Sequence, residues 1–174
     1  VEVTSEKSGV LRKAVGVSDS LMLIADQAQF TDETDGLFTS KTVSFKVATR
    51  YEVSNNYEAT SMGRYAYFMT ESGRYTSCRE FFKDGNSGVR DAADITAHCP
   101  TYINTGNYSE SSELDSGKIV PVPAENMLLV IPAASFRTQV FVYRYYWSGD
   151  EKLQSSWSKW DFDGSDSKWL TAPY

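Results

Sequence analysis

The stretch that decides the fold covers residues 126–162 and reads NMLLVIPAASFRTQVFVYRYYWSGDEKLQSSWSKWDF. Runs of apolar, β-branched and aromatic residues predict three consecutive strands, at 127–131, 139–147 and 153–162. The connections carry turn residues such as Pro132. An antiparallel meander is the simplest arrangement of three such strands.

The middle run of this stretch is apolar on both of its predicted faces. Because successive strand residues point to opposite faces, alternate side chains of the run lie together. One face carries Phe141, Tyr143, Tyr145 and Trp147, and the other carries Val140, Val142, Arg144 and Tyr146. A sheet covered on one side only would alternate polar with apolar residues, so we expect neighbours on both sides.

The composition of the whole chain favours strands over helices. The chain has 174 residues, of which 14% are aromatic, and Ser, Thr, Tyr and Val displace the good helix formers in most windows. This predicts an all-β fold, and the length suits one domain over residues 1–174. Because the chain begins at Val1 and not at Met, we expect it to be a fragment of a longer protein.

The charge of the chain restricts its partners. Lys and Arg number 17 against 23 Asp and Glu, which gives a net charge of -6 and a pI near 4.8. An acidic surface is unsuited to dedicated binding of nucleic acid or anionic membranes, but it suits a surface past which DNA must slide. No apolar run approaches the roughly 20 residues that span a bilayer, and no signal peptide is recognisable, so we expect no membrane insertion by this segment.

One hairpin pattern occurs three times along the chain. The copies are SLMLIADQAQF at 20–30, RYAYFMTESGRY at 64–75 and NMLLVIPAASFRTQVF at 126–141. Each is an apolar run, a polar turn and a returning strand, at a spacing near that of a four-stranded propeller blade. The repeat predicts β-propeller-like antiparallel blades, with a β-sandwich as the competing arrangement.

Two segments between the second and third copies depart from the strand pattern. Residues 91–98 predict the one short helix of the chain, with Asp91 as N-cap and Pro100 as terminator. Residues 104–117, NTGNYSESSELDSG, predict an exposed flexible loop because they are polar and rich in Ser and Gly.

The sequence offers no catalytic or metal-binding constellation. His98 lies four residues after Asp94 and next to Cys99, but a structural helix-to-loop contact is favoured over Cys–His catalysis. The acidic run at 161–166 lacks the remaining positions of a calcium loop, so an acidic turn is favoured. We expect Cys78 and Cys99 to be unpaired thiols, and we expect no cofactor.

Exposed aromatic side chains can stack on glycans or anchor interfaces, and the binding candidates that the sequence offers are Trp147, Trp157 and Trp160. Strand parity places Trp157 and Trp160 on opposite faces. Packing between adjacent sheets is therefore favoured over a ligand platform.

Two stretches of this chain resemble a known family. DAADITAHCPTYI at 91–103 and YRYYWSGDEKLQSSWSKWDF at 143–162 are similar to segments of tail tubular protein B, the family of nozzle proteins of short-tailed, podovirus-type bacteriophages. The stretches at 10–30 and 41–54 look like the upstream part of the same family. The resemblance covers residues 9–162.

The resemblance implies a non-enzymatic structural role. Members of the family are longer, are built around β-propeller-like domains and form a six-fold ring, the distal tail tube through which DNA is ejected. It implies as partners further copies of the protein, the adaptor or gatekeeper tail protein and the tail fibres, with DNA passing without specific binding. The protein would be assembled in the host cytoplasm and reside in the virion tail. A glycan-binding or capsule-degrading tail module, and a cellular propeller acting as a scaffold, stay open as alternatives.

Overall fold

The regular secondary structure of the described residues is almost all β-strand. A computed structural model describes residues 9–17, 20–32, 39, 41–72, 75–83, 90–103, 117–132, 139–148 and 151–162. Within these ranges the helical structure is confined to one 3₁₀ turn at Pro123–Glu125. The all-β prediction is confirmed.

In these ranges thirteen strands form three sheets that follow one another along the chain. The first sheet has the order β1-β2-β3-β4, with β1 Leu11–Val17, β2 Ser20–Ala25, β3 Gln29–Asp32 and β4 Phe45–Thr49. After the short β5, Tyr57–Glu58, the second sheet has the order β6-β7-β8-β9, with β6 Thr60–Met62, β7 Tyr65–Ser72, β8 Tyr75–Lys83 and β9 Arg90–Asp94. The third sheet contains β10 Gly117–Val122, β11 Met127–Ile131, β12 Gln139–Ser148 and β13 Glu151–Asp161 in the same consecutive order, and β5 joins β10 in parallel.

The repeated hairpin is the central strand pair of each sheet. The three copies correspond to β2–β3, β7–β8 and β11–β12, all antiparallel. The three strands predicted over 126–162 are also present, and they form the expected meander. Local alternation therefore predicted both the strands and their pairing.

The second sheet lies between the other two, and alternate residues of β7 face different neighbours. Ala66 and Phe68 join a buried apolar cluster with Met22 and Ile24 of the first sheet. Tyr67 and Met69 of β7, together with Cys78 of β8, face a cluster shared with the third sheet, whose members there include Leu128, Val130, Phe141 and Tyr143. Burying a large side chain stabilises the fold by roughly 1.5–3 kcal/mol, so the two faces of this sheet hold the stack together.

The third sheet is covered by the second on one face, while its other face carries a cluster of its own residues. That cluster consists of Met127, Val140 and Val142, flanked by Val122, Leu129 and Ile131. The face with Phe141 and Tyr143 packs on the second sheet, so the grouping of side chains predicted from the parity of β12 is confirmed. Among the described residues, the cluster on the opposite face includes no residue of another sheet, so the second neighbour expected there is not found.

The predicted helix at 91–98 is wrong. Asp91–Asp94 belongs to β9, which pairs with β8, and turns follow at residues 95–98. Ala92 is buried between the first two sheets, whereas Asp91 and Ala93 are exposed. This alternation of single residues is the pattern of a strand and not of a helix. The segment is too short for an isolated helix to be stable, and pairing with β8 satisfies its backbone instead.

The predicted loop at 104–117 lies outside the described residues, apart from its last one. Gly117 is buried and begins β10, so the loop prediction is wrong at this position. Its N–H donates to the Asn56 carbonyl at 2.7 Å, and a Cβ atom here would lie 2.3 Å from Cε1 of Tyr57. Only glycine allows this close approach of β10 to β5.

Truncation of a phenylalanine in the middle sheet tests the stack. Phe68 is fully buried, and we expect Phe68→Ala to lower the free energy of unfolding by about 3–5 kcal/mol because it leaves a cavity between the first and second sheets. The matched control is Phe162→Ala, at a side chain that is 44% exposed, with an expected loss of about 1 kcal/mol or less. Chemical denaturation of both variants measures the difference; equal losses would contradict the stacking.

Candidate functional site

A buried ion pair joins the third sheet to the second. Lys152 of β13 places its Nζ 2.5 Å from Oε1 of Glu80 in β8. The side chains are 19% and 6% exposed, respectively. An ion pair with so little access to water costs desolvation energy and is stable only when its remaining hydrogen-bonding groups have partners.

Two tyrosine hydroxyls supply those partners. The Tyr67 hydroxyl donates to the second carboxylate oxygen of Glu80 at 2.9 Å. On the other side, Nζ of Lys152 donates to the Tyr143 hydroxyl at 3.2 Å. The ion pair is thus one network with a tyrosine from each sheet, which we call the inter-sheet lock: Tyr67, Glu80, Tyr143 and Lys152.

Aromatic rings surround the cationic end of the inter-sheet lock. Nζ of Lys152 lies 5.2 Å from the ring centroid of Trp147 and 5.6 Å from that of Tyr145, within the range of cation–π attraction. Trp147 in turn stacks on Tyr65 of the second sheet, with centroids 5.6 Å apart and planes at 20°. The end of the β12–β13 hairpin is therefore attached to the second sheet by charge and by stacking.

The protonation states in the inter-sheet lock follow from burial and from the neighbouring charges. Burial by itself lowers the pKa of Lys152, but the hydrogen bond and charge of Glu80 outweigh it, and the net effect raises this pKa. Burial raises the pKa of Tyr67 far above its usual range, and the Glu80 carboxylate adds to the effect. Burial also raises the pKa of Tyr143. At neutral pH the lysine is charged and both tyrosines are neutral.

The three tryptophans that the sequence singled out lie in different environments. Trp147 stacks on Tyr65 of the second sheet, beside Lys152. Trp157 packs on Tyr143, with centroids 5.1 Å apart, and its Nε1 donates to the Ile95 carbonyl at 2.8 Å. Trp160 pairs with Val140, lies on the opposite face of the sheet and is 45% exposed. Their ability to bind a ligand stays a prediction.

The sequence analysis missed the charged residues of the inter-sheet lock. A signal for Glu80 was present: it shares strand parity with Cys78 and Thr76, and all three are buried. A carboxylate on the buried face of a strand requires a cationic or hydrogen-bonding partner. The sequence could not show which cation pairs with Glu80, because Lys152 lies 72 residues away along the chain.

Of Asp94, His98 and Cys99, it is Asp94 that has a visible structural role. Oδ1 of Asp94 accepts from the Thr96 N–H at 2.8 Å and from its hydroxyl at 2.5 Å, which fixes the turn after β9. His98 is exposed. Burial raises the pKa of the Cys99 thiol, and Asp94 adds to this, so thiolate formation is disfavoured.

Both cysteines are free thiols, as predicted, and Cys78 is fully buried. The described ranges bring together no group of three or more His, Cys, Asp or Glu side chains that could hold a metal ion. Asp163 and Asp166 of the acidic run lie outside those ranges. The part of the chain that the structure describes also contains no helix long and apolar enough to cross a membrane.

A double-mutant cycle tests the inter-sheet lock. We expect Lys152→Met to lower the free energy of unfolding by about 3 kcal/mol, because it leaves the Glu80 carboxylate buried without a counter-ion. Adding Glu80→Gln should recover part of this loss, with a coupling energy of about 0.5–3 kcal/mol between the two sites.

The control cycle uses Arg144→Met and Glu125→Gln. These side chains are 59% and 61% exposed with Nη2 and Oε2 3.5 Å apart, so their coupling should not exceed about 0.5 kcal/mol. Denaturant unfolding measures both cycles. Additive losses for Lys152 and Glu80 would contradict the inter-sheet lock.

The raised pKa values predict a loss of stability at alkaline pH. Because the folded-state pKa of Lys152 is above its unfolded value, its stabilisation is complete below about pH 10 and is lost as the pH rises through the folded pKa. The raised pKa of Tyr67 acts in the same direction. We expect tyrosinate absorbance from the buried tyrosines to appear only together with unfolding, and Tyr67→Phe to flatten the alkaline part of the stability profile. Ionisation of all tyrosines in the folded protein would contradict this.

Comparison with known proteins identifies the family. The family model for bacteriophage nozzle proteins matches residues 1–172. The tail tubular protein gp12 of Escherichia phage T7 is 31% identical over 163 residues, which cover 93% of this chain and 19% of that relative. The chain thus spans less than a quarter of the relative's length. The matched region contains all three sheets and the inter-sheet lock, and the resemblance noted in the sequence is confirmed: the chain belongs to the bacteriophage nozzle protein family.

Proposed function

We propose that this chain is a structural part of the distal tail tube, or nozzle, of a short-tailed bacteriophage. The observation that carries the proposal is the family match over residues 1–172. The family is that of a structural tail protein, and its members are components of the virion. The chain then contributes to the assembly and the shape of a conduit and has no enzymatic activity.

The stacking of the sheets supports a propeller-like arrangement within the longer protein. The first strands of the three meanders adjoin one another, with β6 next to both β1 and β10. Blades of a propeller place their first strands around a shared axis in this way. We propose that residues 1–174 are one all-β domain of a longer protein and contribute consecutive blades to it.

The charge of the chain supports a passage for DNA. A net charge of -6 repels the phosphate backbone, so DNA can move past without being retained. In this proposal the full-length protein forms a six-fold ring that contacts the adaptor protein above it and supports the tail fibres. The DNA passes through the ring and is not bound specifically.

The glycan-binding alternative has less support. Trp147 and Trp157 are both engaged in the contact with the second sheet, through Tyr65 and the Ile95 carbonyl, respectively. Trp160 remains as the most exposed of the three candidates. A single exposed ring gives a poor platform for a glycan chain.

Two measurements test the proposed function. Negative-stain imaging of the full-length protein should show closed rings, and immunogold labelling of purified virions with an antibody to this chain should place gold at the distal end of the tail. A persistent monomer in the presence of the adaptor protein, together with unlabelled tails, would contradict the proposal. Saturable binding of host polysaccharide that Trp160→Ala abolishes would favour the glycan alternative.

A further inference from the structure

The segment that connects β4 to β6 contacts all three sheets. We call residues 51–58, which end in the short strand β5, the strap. Among the described residues, no strand of the first sheet pairs with a strand of the third, and no buried apolar cluster contains side chains from both. The strap supplies Tyr51 and Val53 to the cluster between the first and second sheets, and Tyr57 to the cluster between the second and third. It therefore crosses from one contact of the second sheet to the other.

A buried amide holds the start of the strap on the first sheet. The side chain of Gln29 in β3 is fully buried. Its Nε2 donates to the Tyr51 carbonyl at 2.9 Å, and its Oε1 accepts from the Tyr51 N–H at 3.2 Å and from the Thr49 hydroxyl at 2.7 Å. Because a buried amide costs free energy when it loses its partners, these bonds oppose movement of the strap away from β3.

The middle of the strap is bonded to the first and second sheets at once. The Val53 N–H donates to the Asp26 carbonyl, in the turn after β2, at 2.8 Å. The next N–H, that of Ser54, donates to the Met69 carbonyl of β7, also at 2.8 Å. The Ser54 hydroxyl donates to Oε1 of Glu71 in the same strand at 2.8 Å. Adjacent residues of the strap thus hold β2 and β7 at a fixed separation.

The end of the strap forms an edge of the third sheet. The Asn56 carbonyl accepts from the Gly117 N–H at 2.7 Å, and Tyr57 and Glu58 pair in parallel with the first two residues of β10. The ring of Tyr57 occupies the space that a Cβ atom at position 117 would need. Nζ of Lys13 in β1 lies 2.8 Å from Oε2 of Glu58, so this end of the strap contacts the first sheet as well.

These fixed points leave the strap little slack. Its eight residues are bonded to each of the three sheets, and an extended backbone spans at most about 3.3–3.6 Å per residue. An apolar cluster tolerates small shifts, whereas hydrogen bonds weaken quickly when their distance or angle changes. A displacement of the first sheet is therefore transmitted through the strap to β10.

We propose that the strap is a coupling element that makes the three sheets respond as one unit, so that releasing it from the first sheet loosens the edge of the third. The proposal concerns contacts within the described residues, and it is independent of the ring assembly proposed above. Sheets that are coupled in this way keep their relative orientation when one of them is displaced.

Hydrogen exchange in the full-length protein tests the coupling. Gln29→Leu keeps the approximate size of the side chain but removes its bonds to the strap, and mass spectrometry with electron-transfer fragmentation measures the exchange of single amides. We expect the Gly117 amide, in another sheet, to exchange at least about tenfold faster. The Val142 amide, in the central part of the third sheet, should change by less than about twofold, because that sheet stays folded.

The matched control is Phe30→Leu, at the next residue of β3. The Phe30 side chain belongs to a cluster formed within residues 23–47, which includes no residue of the strap. We expect this variant to speed exchange in the first sheet but to change that of Gly117 by less than about twofold. Equal effects of the two variants at Gly117, no effect of Gln29→Leu there, or an equally large effect at Val142 would overturn the proposal.

A milder variant decides the question if Gln29→Leu does not fold. Ser54→Ala removes the bonds of the hydroxyl to Glu71 and to the Asn56 N–H, and Ser54 belongs to no apolar cluster. We expect the amides of Val53 and Gly117, which bond to different sheets, to exchange faster together, each by at least about threefold. Faster exchange at one of them alone, or at neither, would overturn the proposal.

Discussion

Burial of both faces of the second sheet is the constraint on which the rest of the structure depends. Its strand β7 alternates between two environments, with Phe68 facing the first sheet and Tyr67 facing the third. A strand that is apolar on both faces is stabilised when a neighbouring sheet covers each face, as the first and third sheets do here. The order of the three sheets, and the position of the β12–β13 hairpin against the second, follow from this requirement.

The two contacts of the middle sheet have different chemistry. The contact with the first sheet is dominated by an apolar cluster, beside which Arg79 lies over the ring of Tyr51, whereas the contact with the third includes a lysine, a glutamate and two tyrosine hydroxyls. An apolar contact tolerates small shifts, but a hydrogen-bonded ion pair requires one geometry. The second contact therefore fixes the position of β12 and β13 against the second sheet.

The strands could be predicted from the sequence because their signals are local. Alternation in 126–162 identified three strands and their pairing, and the repeated hairpin identified the central pair of every sheet. The helix at 91–98 failed because alanine propensity is weak compared with pairing to β8, a partner that the local pattern does not reveal. The inter-sheet lock could not be predicted for a similar reason: Lys152 and Glu80 come into contact only because two sheets pack against each other.

A chain of the nozzle family whose second and third sheets are fixed to each other suits the proposed role in the wall of a tail tube. A cryo-EM reconstruction of the purified phage tail tests this most directly. We expect each subunit of the distal ring to contain the three sheets in the order described, with Lys152 and Glu80 in contact between the second and third sheets. A distal ring without this chain, or a map in which the second and third sheets are separated, would contradict it.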